Sequence, residues 1–511
     1  MHISAPTPTG AVRAAARWAA LLAVLFAYSC AVGPDFKKPA PEAPEAWTGQ
    51  AGAPEAGPGQ PVEPAELAQW WRLFDDPLLV SLVEEALAAN LDLKTAETQL
   101  RQARAARGVA VGGLFPAVTA SGAYLREQMS NAPGSNPSSK QTANLNPVQD
   151  LFQSGLDAVW ELDLFGGQRR QVEAAGAGVQ AAVENIRDVR VSTIAEVALD
   201  YIQLRGAQRQ IAIAQDNLKA QRVIAAITRR LKNAGFDSAL DLANAETAVW
   251  SAQAQIPALE TSARQSIYAL SLLLARPPAE LVERLDTPAP QPRAPLRVPL
   301  GLPSDLLRRR ADIRQAEAQL HAATAQIGVA MASFFPSFSL TGGVTWNNNL
   351  LNMWWTAASR SFSVGPGVSW PIFQGGASVS NLRLQEALKD QAYLAYRKTV
   401  LTAFQDVENA LVALDREQNT RQALTEAVAA GRKAVDLSLV LYSAGQADYQ
   451  SVLTAQIGLY GNENALAQSE RNLASDLIAL YKALGGGWES LPAEAPATAA
   501  PGAPAGDSGA G

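Results

Sequence analysis

The sequence predicts a mostly helical protein with a transmembrane β component, built from one unit used twice. Three observations carry that class: an internal repeat, four short stretches of period-two hydrophobicity, and two proline-free helical runs too long for a globular core. The repeat is plainest where DLKTAETQLRQARAARGVAVGGLFP, residues 92–116, returns as DIRQAEAQLHAATAQIGVAMASFFP, residues 312–336, with 12 of 25 positions identical at an offset of 220. Farther on, IAEVALDYIQL from Ile194 matches FQDVENALVAL from Phe404, Trp160 matches Trp370, and Ala234-Gly235 matches Ala444-Gly445, all at an offset of 210. A longer polar loop after the first strand of the first copy, SNAPGSNPSSKQTANLNP from Ser130 to Pro147, accounts for the change of offset. A helix–strand–strand–helix–helix unit occurring twice is the simplest account.

Residues 1–29 read as a signal peptide, with Arg13 and Arg17 ahead of an apolar stretch, Trp18–Tyr28, too short to span a bilayer. Cys30 follows at once and is the only cysteine, which excludes internal disulfides. Residues 30–64 are rich in Pro, Gly and Ala and read as an extended segment. The first structural repeat occupies 65–286, with strands at about 115–130 and 151–165 followed by a long helical hairpin. A Pro-rich connector covers 287–303. The second repeat runs over 304–484, with strands at about 335–350 and 359–373 and another long hairpin. Residues 485–511 are low in complexity and read as a disordered tail.

In SFSLTGGVTWN, Phe338, Leu340, Gly342, Val344 and Trp346 face one way, while Ser337, Ser339, Thr341, Thr345 and Asn347 face the other. SFSVGPGVSWPI from Ser361 and GLDAVWELDL from Gly155 alternate in the same way. Such segments, about ten residues each, fit a transmembrane barrel strand and equally a half-buried strand of a soluble sheet. Tryptophans near the strand ends favour the barrel: Trp346 and Trp370, with Trp354 and Trp355 in the loop between, sit as aromatic belts do at membrane interfaces. Four strands cannot close a barrel, so the chain must oligomerise; three copies supply 3 × 4 = 12 strands.

The helical runs from about 168 to 233 and 377 to 443 contain no proline, and at 1.5 Å per residue each reaches about 100 Å. Val400, Phe404, Val407, Leu411 and Leu414 step by 4, 3, 4, 3, the spacing of a seam that faces a partner helix. An isolated antiparallel coiled coil has the same spacing. Both runs stop at a glycine, Gly235 or Gly445, and Ser238 with Asp241 forms a capping signal for the returning helix. These are two hairpin tips.

The composition argues against an enzyme. Apart from His2 and His321 there is no histidine, and with one cysteine the common zinc sites are excluded. No nucleophile elbow, dinucleotide fingerprint or phosphate loop is present, and no cofactor is expected. A net charge of −6 with no basic patch gives no reason to expect nucleic acid.

CAVGPDFKKP after the signal, WELDLFGGQRRQVEAA from Trp160, RRRADIRQAEAQLHAATAQIGVAMASFFPSFSLTGG from Arg308 and LYKALGGGW from Leu480 together resemble the outer-membrane efflux proteins. The resemblance is to TolC-like outer-membrane factors, in particular the lipoprotein branch of the NodT or OprM type. It covers roughly residues 30–488, with Ala311 where proline is usual and Ala27-Tyr28 departing from the lipobox. It implies a homotrimer with a 12-stranded β-barrel, four strands per protomer, continued by a long periplasmic α-helical barrel that tapers to a closed aperture. It implies an outer-membrane, lipid-anchored location with Cys30 as the lipidated residue. It also implies partnership with a periplasmic adaptor (membrane fusion protein) and an inner-membrane transporter, expected to be of the RND type, in a tripartite pump exporting small molecules.

The outlet of a type I protein secretion system, or a non-channel periplasmic coiled-coil lipoprotein, are the competing readings. Asp436, with Arg432 one turn away, is the candidate lining of the aperture, although an i,i+4 pair there could equally be a solvated salt bridge worth tenths of a kcal/mol. Ala234, Gly235, Ala444 and Gly445 at the tips are the candidate docking points for the adaptor.

Overall fold

The computed structural model describes residues 31–40, 43–48, 67–128, 148–292 and 303–490. The signal peptide, Cys30, most of the Pro-rich connector, the loop Ser130–Pro147 and the tail beyond Ser490 lie outside them.

After a short 3-10 turn at Trp70–Phe74 come α1 (Pro77–Ala89) and α2 (Leu91–Gly112), β1 (Ala117–Gln128), β2 (Val148–Leu162), α3 (Gly167–Asn233) and α4 (Ala239–Leu273). Two short helices follow, α5 (Pro278–Leu285) and α6 (Pro303–Arg309). Then the order repeats: α7 (Ala311–Ala332), β3 (Ser337–Asn348), β4 (Arg360–Ser369), α8 (Ala377–Ser443) and α9 (Tyr449–Ala483). Twin helices are equal in length: 22 residues for α2 and α7, 67 for α3 and α8, 35 for α4 and α9. A 67-residue helix is about 100 Å long.

The helix ends follow local rules. Asp76 accepts from the amides of Leu78 and Leu79 at the start of α1, and Asn90 from those of Asp92 and Leu93 at the start of α2. Ser238 and Asp241 form a reciprocal capping box on α4; Asp448, the residue at the twin position of Ser238, caps α9 through the amide of Ser451. At both tips the exit from the long helix is a Schellman turn. Phe236 N donates to Leu231 O and Gln446 N to Leu441 O, around glycines with φ of +82° and +72°.

The chain divides into two compact units whose boundaries fall between Ala40 and Pro41 and inside α2, α3, α7 and α8. The first holds residues up to Ala40, Thr98–Val183 and Gln315–Lys398, and contains the sheet. Its four strands are antiparallel in the order β1-β2-β3-β4, so β1 and β4 are edges. The second unit holds Pro41–Glu97, Glu184–Arg314 and the chain from Thr399 onward. One of its cores gathers Leu67, Trp70, Trp71, Phe74, Ile194 and Tyr481 around Gly486 and Gly487, with Trp70 stacked on Tyr481 at 5.2 Å.

That core corrects one expectation. The tail was expected to begin at residue 485, yet Gly485–Gly487 are buried and Trp488–Ser490 form a 3-10 turn. Trp488 lies under the guanidinium of Arg187 at 4.8 Å, Arg190 Nε donates to Gly487 O, and Glu489 pairs with Arg309. Gly486 is closely packed, since a β-carbon there would lie 3.0 Å from Leu67 O and 3.1 Å from Trp70 Cδ1 and would need its neighbours to shift. The three glycines are a close-packed turn and not a flexible linker.

Candidate functional site

Two places combine unusual chemistry with defined geometry: the sheet in the first unit and the hairpin tips in the second.

Register makes the sheet two-faced. On one face the rows are Leu162, Phe338 and Val368; Trp160, Leu340 and Pro366; and Leu156, Val344 and Phe362. On the other they are Thr119, Asp157, Gly343 and Ser363, then Glu161, Ser339 and Gly367. A one-residue slip would exchange the faces, so the alternation specifies the register. Apolar side chains of the first face are bare in the single chain: Phe362 is 78% exposed and Val364 74%.

Aromatic side chains belt both ends. At the loop end a chain of ring contacts runs from Tyr124 to Phe152 (5.1 Å), Trp354 (5.8 Å), Trp355 (5.4 Å) and Trp346 (5.1 Å). At the helix end Phe165 stacks on Phe335 at 4.6 Å. There Trp160 Nε1 donates to Leu114 O and Trp370 Nε1 to Phe334 O. Of the four tryptophans expected at a membrane interface, Trp346, Trp354 and Trp355 lie at the loop end of the sheet and Trp370 at the helix end. From Phe338 to Trp346 is eight residues (346 − 338), or about 26 Å of strand. That matches the apolar band of about 25 Å in outer-membrane barrels. Among the described residues no helix is long and apolar enough to cross a membrane.

At the tips four helices share one small core of Ile224, Ala225, Ala245, Tyr442, Tyr449 and Val452. Tyr442 on α8 donates to Asp237 beside the other tip at 2.5 Å, and its hydroxyl meets the fully buried Thr228 of α3 at 2.9 Å. Burial, and then the neighbouring Asp237 carboxylate, raise the Tyr442 phenol above its ordinary value, so it remains a donor at neutral pH. Ala234, Gly235, Ala444 and Gly445 are exposed, and a β-carbon at either glycine would meet nothing within 4 Å.

The expected Arg432–Asp436 pair is not formed. Arg432 turns across to α9 and makes two hydrogen bonds to Glu463, at 3.1 and 2.8 Å, while Asp436 is exposed. A partner on the neighbouring helix lets one carboxylate oxygen take both guanidinium donors. The Tyr442–Asp237 link had no sequence signal of its own kind, because its partners are 205 residues apart. Departure from the repeat could have flagged it: the twin positions hold Lys232 and Ala447.

The family model for "Outer membrane efflux protein" matches residues 82–276 and 302–486. The two stretches begin 220 apart (302 − 82) and end 210 apart (486 − 276), the same offsets as the repeat. Nodulation protein T of Rhizobium leguminosarum bv. trifolii is 31% identical over 467 residues, 91% of this chain and 96% of that protein. The antibiotic efflux pump outer membrane protein ArpC of Pseudomonas putida is 33% identical over 462 residues, 90% of this chain and 93% of that protein. Among solved structures, the outer-membrane channel OprN superposes with a TM-score of 0.81 at 34% identity, covering 90% of this chain and all of that one.

Proposed function

The chain belongs to the outer membrane efflux protein family, and from that membership we infer that it is the outer-membrane channel of a tripartite efflux pump, a passive conduit and not an enzyme. The observation that carries this on the chain itself is the sheet, which is two-faced, belted at both ends and open at both edges. In hydrocarbon each unpaired edge N–H or C=O costs several kcal/mol, and the smallest bacterial barrels have about eight strands. Joining β1 of one copy to β4 of the next in a homotrimer closes twelve strands and leaves no edge (3 × 4). The apolar face then meets outer-membrane lipid, and the row bearing Asp157 and Glu161 lines the lumen.

The partners are a periplasmic adaptor and an inner-membrane transporter of the RND type, the adaptor seating its hairpins at Ala234-Gly235 and Ala444-Gly445. Asp436 lines the aperture near the second tip; the Arg432–Glu463 and Tyr442–Asp237 contacts brace the helices around it. Cys30 carries the lipid anchor.

Purified protein in a planar bilayer should conduct, and Asp436→Ala should change cation block. Unchanged conductance and block would remove Asp436 from the aperture. Deletion of the gene should sensitise cells to toxic small molecules; loss of a secreted protein with unchanged drug tolerance would point to a secretion outlet instead.

A further inference from the structure

The ten residues that follow Cys30 form no helix or strand, yet six of the first eight contact the rest of the fold: Ala31, Val32, Gly33, Asp35, Phe36 and Lys38. Ala31 abuts Gly166, where a β-carbon would lie 2.6 Å from Ala31 Cα. Val32 N donates to Phe165 O at 3.0 Å. Arg170, whose side chain is 6% exposed, donates to Val32 O, Gly33 O and Asp35 Oδ1, and its remaining terminal nitrogen to Glu173 Oε2 at 2.7 Å. Glu173 in turn bonds His321 Nε2 at 2.9 Å, and the imidazole stacks on Phe36 at 4.4 Å. Lys38 closes the series on Glu317 at 2.8 Å.

We propose that the junction of β2, α3 and α7 is a binding site for the peptide Ala31–Lys38, which straps the first repeat to the second independently of any lipid on Cys30.

The length match argues for a built site. Gly33, Phe36 and Lys38 meet Gly328, His321 and Glu317, so the strap runs antiparallel to α7. Fully extended, five steps of chain (38 − 33) reach about 17 Å. Eleven helical steps (328 − 317) span about 16.5 Å, and the two registers coincide. Contact at Gly33 needs glycine on both sides: its φ is +97°, and a β-carbon on it would fall 2.5 Å from Gly328 Cα. Pro34 and Pro39 lower the entropy lost when the strap is ordered.

The second copy of the junction lacks the chemistry. Positions twinned with His321, Arg170 and Glu173 hold Arg101, Ser380 and Arg383. The site is therefore a property of these residues and not of the fold alone.

Trypsin cleavage after Lys37 in the full-length protein reads the strap. Release before cleavage makes the rate proportional to the open fraction, so cleavage in the wild type should be at least about tenfold slower than in the free peptide AVGPDFKKPA. Gly328→Val should remove most of that protection and Gly108→Val should leave it intact. Gly33→Val, which alters the strap and not the helices, should give the same loss and keeps the test valid should Gly328→Val fail to fold. Protein exported behind a signal peptide that is cleaved without lipidation should keep full protection. Cleavage of the wild type at the free-peptide rate, equal protection in Gly33→Val, or protection lost without the lipid would each overturn the proposal.

Discussion

Trp160 and Trp370 make the same hydrogen bond in the two halves of the chain. Each indole N–H donates to the carbonyl two residues ahead of the helix-breaking proline: Trp160 to Leu114 at 2.9 Å and Trp370 to Phe334 at 3.1 Å. The duplication therefore extends to side chains that pin the helix-to-strand turn at Phe115-Pro116 and Phe335-Pro336. Replacing either tryptophan with phenylalanine removes the donor and keeps most of the ring. The expected cost is about 1 kcal/mol at the part-buried Trp160 and less at Trp370, which is 60% exposed in the single chain. Thermal unfolding midpoints of the purified variants check the order; a larger loss at Trp370 would contradict it.

Tyr442→Phe should loosen the tips. It deletes the hydroxyl shared by Asp237 and Thr228, and leaves a buried threonine oxygen with only its bond to Ile224 O. Single-channel recordings should show a higher open probability than wild type, and hydrogen exchange around Asp237 should quicken. Neither change would be seen if the link were incidental.

Ser238→Ala should cost about 1 kcal/mol, confined to the first turn of α4, because it breaks the capping box. Hydrogen exchange in residues 239–242 should rise, with the distant core around Trp70 unchanged.

Substituting valine at both Gly235 and Gly445 should strain the tips by about 1–2 kcal/mol each, since φ is positive and space is free. Trimers should still form, as the sheet is untouched, while drug efflux in cells should fail. Full efflux in that double variant would show that the tips do not dock the adaptor.

Burial, and then Glu196, raise the Asp200 carboxyl to about 6; burial, and then Glu417, do the same for Asp476. A folded-state value above the usual 3.8 means that the folded chain holds these protons more tightly than the unfolded one. Their contribution to stability therefore falls as pH rises from about 4 to about 6 and stays unfavourable above. Asp200→Asn should raise the thermal midpoint at pH 7.5 and flatten its dependence over that window. A midpoint that falls at neutral pH would reverse the assignment.

Much of this molecule was legible as sequence because its rules are local or periodic. The 220 and 210 offsets, the glycine stops at 235 and 445, the Ser238 cap and the Phe-Pro breaks depend on a few neighbouring residues. Alternation along Phe338–Trp346 is read from one strand, and the structure adds that its rows are continued by Leu156 and Phe362.

What the sequence by itself determined is the duplicated unit, its four strands and the length of its helices, since each follows from backbone periodicity and chain-breaking residues. Only the tertiary structure decided which side chains meet across the chain. It gave Arg432 to Glu463 instead of Asp436, linked Tyr442 with Asp237, folded Trp488 back onto Arg187, and laid Phe36 on His321. Those contacts join residues from 31 to 301 positions apart, and over such separations no period carries information; packing alone selects the partner.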